Sequence, residues 1–297
     1  MLYKNMKPVK SSVRPGIAAA RYLCCLAIAV ICCNVVAIQH ALAQGNLLVT
    51  PARVIFEGSK RAEELNLANS GKDTARYLIS FVEIRMNKNG TFDQVNEPDS
   101  GQQFASGYLR FFPRSVVLGP NEAQVIKLQL TGASQLAPGE YRSHLYFRAV
   151  PDERPIGGDT VRADSSGINV KLTPVFGITI PVIIRVGETT ASVQLSELSV
   201  DQATGPEPGL NVLFNRTGNA SVYGDLTVDY ISPQGKATQV AEARGLAVYT
   251  PNSQRYVHLI LQTKPGINFR TGKLRVAYTT KTKTSTEELA RAELQLR

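Results

Sequence analysis

AQVIKLQLT, Ala123 to Thr131, sets Val125, Lys127, Gln129 and Thr131 in alternation with Ile126, Leu128 and Leu130. That period of two is the mark of a β-strand with one dry face and one wet face. Working outward, short runs rich in β-branched and aromatic residues recur, and no long helical pattern interrupts them. Strands are expected at 47–56, 62–69, 75–87, 108–118, 123–131, 141–150 and 168–185. The breaks EGSK, NSGKD, MNKNGT, LGPNE and LAPGE carry ordinary turn chemistry. About seven strands over ~140 residues suit an immunoglobulin-like sandwich. IRVGETTAS, 184–192, reads as a joint. A second series follows at 192–200, 209–215, 221–231, 236–242, 254–263, 273–280 and 286–296. The expectation is therefore all-β, with two tandem immunoglobulin-like β-sandwiches at 44–186 and 187–297. LNLANSGKDTARY in the first half is echoed by LNVLFNRTGNASVY in the second, as two related folds would be.

The 297-residue chain is longer than one small core organises. Its first 43 residues differ from the rest. Lys4, Lys7, Lys10, Arg14 and Arg21 precede YLCCLAIAVICCNVVAI, and Ala41-Leu42-Ala43 has the small-x-small form of a secretory cleavage site. The segment 1–43 is expected to be a cleavable signal peptide directing the chain to export. Asn34 and the Ala-x-Ala favour cleavage over an anchor, although ~17 apolar residues approach a membrane span. Cys24, Cys25, Cys32 and Cys33 all lie there, so the remainder has no disulfide framework. The full-chain charge of +9 falls to +4 without it, which gives no signal for nucleic acid as a partner.

Chemistry-bearing motifs are sparse. His144 and His258 fall mid-strand in different halves, without the spacing of a zinc site. There is no nucleophile elbow, phosphate loop or calcium-loop pattern in the chain. Glu63-Glu64 and Glu287-Glu288 are neighbours that point to opposite faces of a strand, so neither makes an acid/base dyad. NGT at 89–91 and NRT at 215–217 match the glycosylation pattern, a short motif expected by chance. The reading is a binding protein, not an enzyme, with no cofactor and no metal. TPARVIFEGS, 50–59, puts Val54 and Phe56 on one face and Arg53 with Ile55 on the other. Arg53 is either a solvated edge residue or a cation aimed at something. In GINVKLTPVFGITIPVIIR, Ile168, Val170 and Leu172 alternate with Asn169, Lys171 and Thr173. That alternation gives the strand one apolar face.

Four pieces of the first half, in order, resemble the PapD-like periplasmic chaperones of chaperone–usher pilus assembly. They are TPARVIFEG, LNLANSGKDTARYLISFVE with Asn69 and Tyr77, LRFFPRSVVLGPNEAQVIKLQL, and LAPGEYRSHLYFRAVP. The second half is similar only in size, position and strand character. The resemblance implies a boomerang of two sandwiches with a cleft between them. It implies a pilin-like fibre subunit as client and an outer-membrane usher as recipient, and it leaves room for a self-capping dimer. It implies strand donation through Ile168, Val170 and Leu172, and a grip by Arg53 on the client's terminal carboxylate, which a guanidinium suits. The family's second cation, a lysine, falls near Thr179 or Pro181, where none is present. Lys171 or Arg185 are the candidates to replace it. The competing expectation is a secreted or anchored adhesin or carbohydrate-binding sandwich, with Phe92, Phe104 and Tyr108 as its aromatics.

Overall fold

The computed structural model describes residues 46–151, 175–201, 207–282 and 284–297. The expected signal peptide, 1–43, lies outside them, as do Ile168, Val170, Lys171 and Leu172. The first series of strands is β1 (Leu47–Thr50), β2 (Val54–Phe56), β3 (Ala62–Asn69), β4 (Ala75–Val82), β5 (Ile84–Met86), β6 (Phe92–Gln94), β7 (Leu109–Phe112), β8 (Ser115–Leu118), β9 (Ala123–Leu130), β10 (Gly139–Val150) and β11 (Gly177–Val186). They form a four-stranded sheet, β1-β3-β9-β7, a five-stranded sheet, β2-β11-β10-β4-β8, and the β5–β6 hairpin. The second series is β12 (Ala191–Asp201), β13 (Gly209–Gly218), β14 (Val222–Ile231), β15 (Ala237–Val248), β16 (Gln254–Ile260), β17 (Lys273–Lys281) and β18 (Thr286–Gln295). Its sheets run β12-β13-β16 and β15-β14-β17-β18. Among the described residues the protein is thus all-β, with two tandem immunoglobulin-like sandwiches.

Alternation works as expected where one face is wet. Ile126, Leu128 and Leu130 of β9 are buried, while Val125 and Lys127 are exposed. They join Phe56, Leu65, Leu67, Leu145, Phe147, Val182 and Ile184 in the first core. A second core gathers Phe214, Leu226, Val228, Val276 and Tyr278. Asn69 is buried and its amide donates to the carbonyls of Asp73 and Leu118, closing the turn after β3. At the joint, Gly187 has φ +68 and a Cβ there would sit 3.0 Å from Pro138, so glycine suits both the backbone and the packing.

Three expected strands are each two elements. The span 47–56 divides into β1 and β2, and 108–118 into β7 and β8, with each pair's members in different sheets. Pro51 and Pro113 stand at those breaks, where a residue without an N–H cannot continue a ladder. The span 75–87 divides into β4 and β5.

A third, smaller cluster joins the two sandwiches. Ile183 and Met86 pack on Ala247 and Tyr249, with Ile55 against them. Beside it, Glu140 of β10 is buried and fully bonded. Its Oε2 accepts from Arg185 Nε at 3.1 Å and from the Ser221 backbone N–H at 3.0 Å. Its Oε1 accepts from the hydroxyls of Ser221 and of Thr250, the latter at 3.2 Å. Arg185 also donates to the Ser221 carbonyl at 3.2 Å and approaches Glu57 at 3.7 Å. Removing one partner of a buried pair leaves the other charge uncompensated. Glu140→Ala should therefore cost about 3–5 kcal/mol in urea unfolding, whereas Glu57→Ala, an exposed partner, should cost under ~1 kcal/mol. Equal effects would mean that Glu140 does not hold the junction.

Candidate functional site

Arg53 immediately precedes β2, where the in–out alternation sends Val54 and Phe56 into the first core and turns Ile55 toward the junction. Its guanidinium also meets the second sandwich. Nη2 donates to the Tyr249 hydroxyl at 2.8 Å, and Cζ lies 3.7 Å from the Tyr223 ring centroid and 5.3 Å from that of Tyr249. Arg53 is half-buried, and its Nε is buried without a hydrogen-bond partner among the described residues. The cation of TPARVIFEGS is thus aimed at the junction and not held at a solvated edge.

A second guanidinium stands beside it. Arg142 of β10 is 3% exposed, and its Cζ lies 4.1 Å from the Tyr249 centroid. Nη2 makes one long contact, 3.5 Å, to the Thr250 carbonyl, and Nη1 is buried with no partner. Burial lowers Arg142 to about 10, an effect offset by Tyr249 and Glu140 and reinforced by Arg53. The group therefore remains charged at neutral pH. A desolvated cation–π contact is worth about 2 kcal/mol, less than the several kcal/mol lost on burying an ion. Two guanidiniums thus meet one tyrosine ring with a buried, idle N–H on each.

His144, two residues along β10 on the same face, is 3% exposed and its Nδ1 has no partner. Burial, with Arg142 and Arg53 adding to it, lowers its pKa to about 3, so the ring is neutral. Phe92, His144 and Tyr249 form a triangle of rings, with centroids 6.1, 6.2 and 6.2 Å apart. They border a cavity of about 220 Å³ shared by both sandwiches, with Met86, Pro181 and Ala247 among its other walls. Pro181 and Thr179, also in the wall, belong to β11, whose residues 177–181 pair with β10 but not with β2. Among the described residues that edge is open.

Of the residues singled out in the sequence, Arg53 is at this site. Arg185 is engaged by Glu140, Ser221 and Glu57 in the neighbouring junction. Arg142 and Tyr249 were not singled out, and His144 was weighed only as a metal ligand and set aside. Arg142 and His144 lie in YRSHLYFRAV, where a face carrying Glu140, Arg142 and His144 looks like a wet one. Yet Gly139–Leu145 is buried throughout, because the second sandwich covers that face. The three aromatics expected of a carbohydrate binder do not form a loop-end cluster: Phe92 is at the junction, and Tyr108 packs on Tyr141 at 6.0 Å.

Burial of a neutral imidazole gives a pH signature. The unfolded ring takes its proton near 6.5 and the folded one only near 3. Between those values the unfolded chain binds more protons, so this group's contribution to stability is lost as pH falls. The melting temperature of wild type relative to His144→Phe should therefore drop between pH 6.5 and 3 and stay level above 7. Parallel curves would mean that the ring is accessible to protons.

No family model matches the chain, and no curated protein matches it. Among solved structures it is similar to the YadV chaperone at 11% identity and a TM-score of 0.43, over 84% of this chain and 100% of that one. It is similar to the Pseudomonas aeruginosa CupB2 chaperone at 12% identity and a TM-score of 0.43, with the same coverage. It is similar to the E. coli chaperone DraB at 15% identity and a TM-score of 0.40, over 84% of this chain and 96% of that one. Overlays this loose leave the functional reading to the contacts described above.

Proposed function

We propose that the protein is a periplasmic assembly chaperone. It would hold an incomplete β-sandwich fibre subunit by strand pairing and by a clamp on the subunit's terminal carboxylate, then deliver it to an outer-membrane usher. One observation carries this reading. Arg53 and Arg142 converge on Tyr249 with buried, unpartnered nitrogens, close to the open edge of β11. A carboxylate placed there would supply the missing acceptors and offset two desolvated charges. A strand laid along Gly177–Pro181 would take up backbone groups that have no strand partner on that side among the described residues. In this reading Arg142 stands in for the cation absent at Thr179 and Pro181, and Arg185 belongs to the junction. The alternation at Ile168, Val170 and Leu172 would provide the donated side chains, with Lys171 alongside. Residues 1–43 would be the signal peptide, followed by sandwiches at 44–186 and 187–297. The mechanism needs neither catalysis nor a cofactor.

The test is a pull-down from periplasm with the mature chain, comparing wild type, Arg53→Ala and Arg142→Met. Wild type should capture a small exported β-rich subunit. Each variant should weaken capture by about 2–5 kcal/mol, the cost of breaking a buried charge-assisted pair. Capture unaffected by either variant would remove the carboxylate clamp from the reading. Capture of no exported subunit by wild type would overturn the chaperone assignment and favour the adhesin reading.

A further inference from the structure

We infer that the 220 Å³ cavity beside the arginine pair is a specificity pocket for the side chain of the client's last residue, and that it selects an aromatic ring bearing a hydroxyl. The inference rests on the clamp proposed above, since the clamp is what brings a chain terminus to this place.

Size comes first. A cavity of ~150 Å³ holds a benzene ring, so the 220 Å³ here suits one substituted aromatic ring. Ring geometry comes next. Phe92, His144 and Tyr249 surround the space at centroid separations of 6.1–6.2 Å, with interplanar angles of 63°, 50° and 90°. A fourth ring could meet such walls edge to face, an arrangement aromatic pairs favour. Three rings could also cage a quaternary ammonium. Here the charge excludes that guest, because Arg53 and Arg142 lie against Tyr249 and Arg255 lines the cavity.

Polar groups then separate phenol from benzene. Two buried nitrogens among the lining side chains have no partner, His144 Nδ1 and Arg255 Nε. Arg255 Nε–H is a donor, and His144 is a neutral imidazole. A phenolic hydroxyl both accepts and donates, so it can serve either nitrogen. A purely apolar ring would leave both idle, which buried polar groups resist.

Position links the pocket to the clamp. Tyr249 belongs to both: its hydroxyl accepts from Arg53, its ring lies under Arg142, and it lines the cavity. A residue whose carboxylate meets the two guanidiniums therefore has its own side chain within reach of the space. Thr179 and Pro181 line the same cavity from β11, so a chain following that open edge arrives at the pocket's wall.

The experiment is calorimetric titration of the purified mature chain with short synthetic peptides of alternating valine and threonine. These end in Tyr, Phe or Ala with a free carboxylate, or in Tyr with an amidated terminus. Burying an aromatic side chain should make the Tyr-ended acid bind roughly 10- to 100-fold tighter than the Ala-ended acid, with Phe between them. One variant probes the pocket: Phe92→Ala removes an exposed wall without touching the core. It should erase the Tyr advantage while leaving the Ala-ended peptide unchanged. If Tyr- and Ala-ended acids bind alike while amidation weakens binding, the pocket inference is overturned and the clamp stands. If acid and amide bind alike, the clamp fails, and the inference that depends on it falls too. Binding of no peptide would overturn both.

Discussion

A carboxylate shut between two protein faces must have every lone pair satisfied, or it will take a proton or draw in water. Glu140 meets that demand only by drawing donors from both sandwiches: Arg185 from one side, Ser221 and Thr250 from the other. Each donor is useful only while the two sandwiches keep one relation. The junction is therefore specified by hydrogen-bond geometry as well as by apolar contact, and the small cluster of Ile183, Met86, Ala247 and Tyr249 completes it. Tyr249 then has a fixed place relative to β10, and the position of Arg53 and Arg142 around its ring follows.

With Glu140 occupied by Arg185, little negative charge remains for the neighbouring cations. Glu83 is near enough to favour Arg142 electrostatically, but burial raises its own pKa, and its Oε1 accepts from the Ser143 hydroxyl. Both charges set against the Tyr249 ring, Arg53 and Arg142, are positive. Such an imbalance in a folded protein is more often a binding site than a flaw, because a chain selected for stability alone would have paired or removed the charges. Arg185 and Arg142 illustrate the division. One guanidinium on the junction face is saturated and structural, while the other is nearly bare.

The two-sandwich fold was legible in the chain because most strands have one wet face. In β9, Lys127 and Gln129 mark solvent as clearly as Ile126 and Leu128 mark the core. The turns were legible for the same local reason, since Gly, Asn and Pro act on the backbone where they stand. What could not be read was any feature that depends on a partner distant in sequence. Pro51 and Pro113 are visible as breaks, but not as places where the chain crosses from one sheet to the other. Arg53 could be singled out by position, while Arg142 could not, and His144 could be read only as an isolated strand histidine. Their face is covered by residues about 100 positions later in the sequence, and a face buried by another sandwich has the same polar lettering as one bathed in water. The one available signal was the density of ionisable groups in GEYRSHLYFR, high for a strand interior.

The brevity of β2 has a geometric consequence. It pairs with β11 in parallel through only three residues, Val54 to Phe56, against Val182 to Ile184. One step earlier in that register Arg53 would face Pro181, which has no amide proton to offer, and there the pairing stops. Among the described residues the lane beside β11 is thus occupied at one end and vacant from Gly177 to Pro181. A chain entering that lane in the same direction as β2 would run head-on into Arg53. In the proposed reading the start of β2 would act as a buffer stop: it would set where an incoming terminus halts and, by counting back from it, which residue of the newcomer faces each residue of the edge.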